Sequence, residues 1–266
     1  MRRTARIWRQ HIRIAVGMAM AYRTGFLLGA VLGLVQIFLL KKVWTAVYAG
    51  RPSANGLTLN ALIVYLTLST LQAGIMTASV SRTIHFRVRT GLVFFDLARP
   101  VGYLQQLAAL QTGATLGVLI FLLPSVPFAF AIGAVSAPAG TAAGVGYATS
   151  LLLAWLVNTA LGLLIGLASF WTLEIEGLTM LYRLVSQFFT GTMVPLTFFP
   201  GPLRLVADLL PFKYLGFVPA SIYIGQLRGG GLARALLLQA TWAAVLFGLS
   251  WLVWRRAWRR VVVQGG

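Results

Sequence analysis

Acid-base, nucleophilic and metal chemistry draw on carboxylates, imidazoles and thiols, and this 266-residue chain supplies four Asp and Glu, two His and no Cys. The carboxylates are Asp96, Glu174, Glu176 and Asp208. Three of them fall at one edge of the long apolar runs and Asp208 at the other, so no pair is placed for acid-base work between them. His11 and His85 stand far apart with no further ligand beside either, which disfavours a metal site. Without thiols there is no disulfide framework, and the redox compartment stays open. The lysines are Lys41, Lys42 and Lys213 alone, and no G-x-x-x-x-G-K-[ST] phosphate loop is present. The expectation is a non-enzyme with no cofactor or metal of its own.

The remaining polar chemistry is basic. A net charge of +18 would point to nucleic acid in a soluble domain, but 59% of the residues are hydrophobic and only 10% charged. The Arg residues gather at the ends of apolar runs, where they set topology and meet anionic headgroups. Membrane lipids, not nucleic acid, are the partners this pattern implies.

The elements that hold these charges read as an all-α polytopic membrane protein forming a single transmembrane domain over residues 1–266. Residues 1–22 predict an amphipathic interfacial helix, with Arg2, Arg6, Arg9 and Arg13 on one stripe and Trp8, Ile12, Ala15 and Ala19 on another. Span one runs from Thr24 to Leu40 with a further apolar turn to Tyr48, and span two from Leu57 to Ser79. On span two Asn60, Thr67, Thr70 and Thr77 share one face, which either bonds to a neighbouring helix or lines a path. A charged connection over 81–106 follows, with a short helix from Gly91 to Ala98 stopped before Pro100. Span three covers Thr112 to Ala131 with kinks at Pro124 and Pro127, and span four Val145 to Phe170. After an acidic turn, span five carries Arg183, Ser186, Thr190 and Thr197 on one side; span six runs from Leu232 to Trp254. With six spans and both termini cytoplasmic, most Arg residues lie inside, as the positive-inside rule asks.

Between spans five and six lies a stretch with Pro195, Pro200, Pro202, Pro211 and Pro219 among large apolar residues. Unpaired backbone groups cannot face hydrocarbon, so such a segment folds against protein. Residues 195–226 therefore predict an external re-entrant helical hairpin.

The runs RVRTGLVFFDLARPVGYL, FFTGTMVPLTFFPGPLRLVADLLPFKYLGFVPASIYIGQL and RRAWRRVVVQGG resemble the permease subunits of ABC-2 type transporters, in the six-span bacterial branch. The resemblance implies an ATP-driven exporter of an amphipathic or hydrophobic substrate, in the efflux sense, sitting multi-pass in the bacterial cytoplasmic (inner) membrane. It implies a dimer with a second permease, identical or homologous, and two cytoplasmic ATP-binding cassette subunits that bind the ATP and Mg. By the same likeness the cytoplasmic region 81–106 couples to the ATPase through Arg82, His85, Arg87, Arg89, Asp96 and Arg99, with Glu174 and Glu176 beside them. Spans two and five then line the pathway with Asn60, Thr67, Thr70, Thr77, Ser186, Thr190 and Thr197. Pro195, Phe198, Phe199 and Pro200 form an external gate. The other reading of the same residues is a membrane scaffold or channel-like subunit that assembles without an ATPase.

Overall fold

A computed structural model describes residues 2–51, 53–54, 56–76, 80–172 and 174–261. Helices α1 (Arg2–Ala21) and α2 (Arg23–Tyr48) meet at Tyr22. A small antiparallel hairpin, β1 (Ser53–Ala54) with β2 (Leu57–Thr58), then feeds α3 (Leu59–Met76). The charged connection becomes α4 (Val80–Arg89) and α5 (Val93–Leu97), followed by α6 (Tyr103–Leu122), α7 (Ser125–Ala131) and α8 (Thr141–Leu167). The second half contributes α9 (Glu176–Phe189), α10 (Gly201–Leu209), α11 (Phe217–Tyr223) and α12 (Gly229–Val261).

Five helical stretches are long and apolar enough to cross a membrane: Arg23–Tyr48, Leu59–Arg89, Tyr103–Ala131, Thr141–Phe170 and Gly229–Arg260. The sequence leads to six, and the difference lies at α9. That helix has 14 residues, about 21 Å at 1.5 Å per residue, against a hydrocarbon core of ~30 Å. It stops where Gly191 adopts a φ of +74°, a conformation open to glycine, beneath the Tyr65 hydroxyl. A second difference is the start of α6, which begins at Tyr103 and not near Thr112. Tyr103, Gln106 and Leu107 are buried there, so packing extends the helix back to Gly102. Of the two kinks expected within this span, Pro124 falls at a break between α6 and α7, while Pro127 lies inside α7.

Helix α3 is the most enclosed, every residue from Leu62 to Ser69 being buried. Helix α8 packs against α3, α4, α11 and α12 and acts as the spine. Close approaches depend on glycine. A Cβ on Gly166 of α8 would come within 2.6 Å of Ile84 Cδ1 and 2.9 Å of Ser81 Cα, so α4 lies flush on the spine. In the same way Gly113 of α6 admits α1, whose Ile12 Cα and Ala15 Cβ would be 2.9 and 2.6 Å from an added Cβ. The amphipathic α1 thus turns Ala15 inward and Arg9 and Arg13 outward.

Two apolar clusters mark opposite ends. One joins Ile84, Val93, Tyr103, Leu167, Phe170 and Ala257, bringing α4, α5, the start of α6 and the ends of α8 and α12 together. Here Tyr103 stacks on Trp254 at 4.6 Å, and Arg260 lies over Trp171. The other joins Tyr48, Leu57, Tyr65, Ala129, Val135, Ala220 and Tyr223. The proline-rich stretch belongs to this second end: Pro211, Tyr214, Leu215, Pro219 and Ile222 are buried.

The α4–α8 seam tolerates no side chain at Gly166. Gly166→Val should destabilise the detergent-purified protein by about 1–3 kcal/mol through overpacking, read as a lowered midpoint in a size-exclusion thermal melt, whereas the open Gly29→Ala should leave the midpoint unchanged.

Candidate functional site

The chain's most buried charge sits where α4, α5 and α6 converge. Asp96, only 2% exposed, accepts from Arg87 Nη1 at both carboxylate oxygens. Arg99 Nη1 lies 3.4 Å from Asp96 Oδ1 and donates to Gln106 Oε1 at 3.3 Å. Gln106 in turn donates from Nε2 to the carbonyls of Asp96 and Val101, at 2.8 and 2.9 Å. A buried carboxylate needs such partners, because desolvation alone would make the ionised form untenable. The outcome is a corner in which four polar side chains and two backbone carbonyls tie the turn together. Its outer surface presents Phe86 and Phe95, 59% and 70% exposed, together with Phe94 and Arg89.

A second group links α4 to the loop before α9. Glu174 Oε1 accepts the backbone N–H groups of Ile175 and Glu176, at 3.0 and 3.1 Å. His85 Nε2 lies 3.8 Å and Arg89 Nη1 3.6 Å from the same carboxylate, while His85 Nδ1 is 3.3 Å from Ser169 Oγ. The Glu176 N–H above all, with the Ile175 N–H, His85 and Arg89 adding, holds the Glu174 carboxyl below its ordinary range against a desolvation that works the other way.

Of the expected coupling residues, then, Arg87, Asp96 and Arg99 form one group, and His85, Arg89 and Glu174 another. Glu176 is exposed at the start of α9 and contributes its N–H. Arg82 stands apart from both groups and lines a cavity.

That cavity, about 740 Å³, lies between α2, α3, α8 and α9. One wall is α2, with Gly29, Gly33 and Gln36; the opposite wall is α9, with Tyr182, Arg183, Ser186 and Gln187. No residue of α9 is buried. Its Tyr182 hydroxyl donates to Asn158 Oδ1 at 3.2 Å, and Asn158 Nδ2 donates to the Met76 carbonyl at 3.1 Å. Among the expected pathway residues, Thr70, Ser186 and Thr190 line the cavity. Asn60 is exposed at the start of α3, Thr67 is buried within the protein, and Thr197 is half-buried with its hydroxyl unpaired among the described residues. Thr77 lies outside the described residues.

The expected gate residues pack at the second end. Phe198 meets Trp44 of α2 at 5.5 Å and Phe199 meets Phe188 of α9 at 5.1 Å; Pro195 is buried and Pro200 exposed. Sequence reasoning missed Gln106, whose role as the corner's clamp lies in tertiary geometry. It also missed the exposed Phe86, Phe94 and Phe95, which in sequence look like ordinary core residues.

A family model described as ABC-2 family transporter protein matches residues 26–265. No curated protein matches the chain.

Two substitutions separate the charged groups. Asp96→Asn leaves two guanidiniums facing a neutral amide and should cost toward the low end of roughly 3–5 kcal/mol, since both arginines keep partial solvent access; denaturant titration in detergent checks it. For Glu174 the folded-state pKa is depressed, so its contribution is fully present above the unfolded value near ~4.3 and is lost as pH falls through the lower folded value. The stability gap between wild type and Glu174→Gln should therefore stay constant from neutral pH down to about 5 and close at lower pH.

Proposed function

We propose, as this chain belongs to the ABC-2 transporter family, that it is the permease subunit of an ATP-driven exporter, gripped from the cytoplasm by separate ATP-binding cassette subunits. The observation that carries this reading is the α4–α5 corner. A mobile loop would dissipate a push, whereas a turn clamped by Asp96, Arg87, Arg99 and Gln106 transmits it. The exposed Phe86, Phe94 and Phe95 supply aromatic anchors of the kind that dominate protein interfaces.

In this reading the corner, the end of α12 and the α8–α9 loop face the cytoplasm, both termini lie inside, and α1 rests at the inner interface. A displacement of α4 has two routes outward. One runs through Gly166 into α8, the other through Glu174 into the base of α9. Helix α9 with the turn that follows it up to Val194 makes a sixth crossing, and the stretch from Pro195 to Gln226 is the external re-entrant hairpin. The unburied faces of α9 and α2 receive lipid and a second permease, identical or homologous. Outward movement of α9 widens the cavity between α2 and α3 and releases an amphipathic substrate beneath Phe198 and Phe199.

Co-expression with a cytoplasmic ATP-binding cassette subunit, purification through a tag on this chain, and a vanadate-sensitive ATPase assay in lipid test the assignment. Association with stimulated hydrolysis is expected, and a stable chain that recruits no ATPase would favour a scaffold or channel-like subunit. Arg99→Glu sets a second carboxylate against Asp96 and should abolish the stimulated hydrolysis while membrane insertion persists. Phe95→Ala should lower ATPase recovery at least ten-fold with no change in the permease melt; equal recovery would remove the corner from the interface.

A further inference from the structure

The cavity between α2, α3, α8 and α9 carries positive charge that no carboxylate among the described residues balances. Arg82 enters it from α4 and Arg183 from α9. No Asp or Glu lines it. Three of the chain's four carboxylates are engaged elsewhere: Asp96 with Arg87 and Arg99, Glu174 with His85 and Arg89, and Asp208 with Lys213. The fourth, Glu176, opens α9 and does not line the cavity. Neither Arg82 nor Arg183 is in an ion pair among the described residues.

An arginine at the cytoplasmic edge ordinarily snorkels outward to headgroups or water. Both of these are exposed, but they come from different helices and line one open space, whose further walls include Leu34, Ile37, Leu71 and Met76. A guanidinium binds a planar oxyanion bidentately, and two lining one space can share the same anion's charge. A volume of about 740 Å³ is that of a drug-sized or single-chain lipid site, well above what a free inorganic ion needs. A cation entering this space would meet two like charges and no carboxylate.

From this geometry we propose that the cavity binds an acidic amphiphile, with Arg82 and Arg183 on its carboxylate or phosphate and the apolar walls on its hydrocarbon part. The proposal rests on the reading of this chain as an exporter permease and names the charge class of what it carries. Two sources share that chemistry, an anionic membrane lipid and a soluble acidic amphiphile.

The test is made on the full chain alone in neutral detergent, so that it does not depend on an ATPase. A dansylated fatty acid is titrated against its amine-terminated and methyl-ester counterparts. The carboxylate probe should bind at least ten-fold tighter than either. Arg82→Gln with Arg183→Gln should remove that preference, while Arg256→Gln, an exposed arginine outside the cavity, should leave it intact. The paired Arg82→Glu, Arg183→Glu variant should reverse the preference toward the amine, a gain that misfolding cannot produce. Native mass spectrometry assigns the source: an anionic phospholipid carried by wild type and lost from the Gln pair identifies lipid, and probe binding with no carried lipid identifies a soluble amphiphile. Equal affinity for the three probes, or an equal loss in Arg256→Gln, would overturn the proposal. If charge selectivity fails while ATPase recruitment holds, only this inference falls; if selectivity holds and no ATPase is recruited, the exporter assignment falls instead.

Discussion

Every interruption of a helix in an apolar surrounding leaves carbonyls that something else must satisfy, and this fold is assembled around those repairs. The Met76 carbonyl, where α3 ends, accepts from Asn158 of α8. The Ile132 carbonyl, just past α7, accepts from Lys41 Nζ at 2.6 Å. Gly191, which ends α9, is met at its carbonyl by the Tyr65 hydroxyl at 2.8 Å, and the neighbouring Thr190 carbonyl by the Phe217 N–H at 2.8 Å. Tyr214, in the short turn before α11, is met by Gln239 of α12 at 3.0 Å. Each repair also joins two elements distant in sequence. Saturation of the backbone and tertiary structure are here the same set of bonds.

These repairs divide the molecule into fixed and loosely held parts. Helices α3 and α8 are enclosed and bonded along their lengths; Gln239 alone ties α12 to Ser150 and to the Tyr214 turn. Helix α9 is the opposite case, without a buried residue yet pinned near both ends, by the Glu174 group before it and by Gly191 beneath Tyr65 after it. Between those pins its lateral bonds run chiefly through Tyr182, to Asn158 and against the ring of Phe212. The helix is thus held chiefly at its two ends. It is also a wall of the cavity.

Much of this was legible in the residues. The apolar runs located the five helices long and apolar enough to cross a membrane among the described residues, Pro124 interrupts the third run where a kink was expected, and the crowding of prolines after Thr190 required a segment folded against protein, which the burial of Pro211 and Pro219 agrees with. What stayed hidden has a common cause. Lys41 reads in sequence as a topology-setting charge at a helix end, and its bond to Ile132 depends on a partner ninety-one positions away. Gln239 and Gln106 look like tolerated polar residues in or near apolar runs, and only tertiary placement reveals that each bridges two backbone carbonyls. The end of α9 was not legible because composition stays apolar past Phe189, while the helix stops just before Gly191, whose φ is +74° and where an added Cβ would lie 2.8 Å from the Tyr65 hydroxyl.

The scarcity of acid in this chain shapes its chemistry more than the abundance of base. With 22 Lys and Arg against four Asp and Glu, most cations must find water, headgroups or aromatic rings, as Arg255 does over Trp251 and Arg260 over Trp171. Two of the four carboxylates hold elements together at one end of the molecule. Asp96 holds the turn between α4 and α6, and Glu174 holds the base of α9 to α4. Both sit at the same end of the molecule, where α4 meets α5, α6 and the base of α9. Further along α9, the cavity that Arg82 and Arg183 share is lined by no Asp or Glu among the described residues.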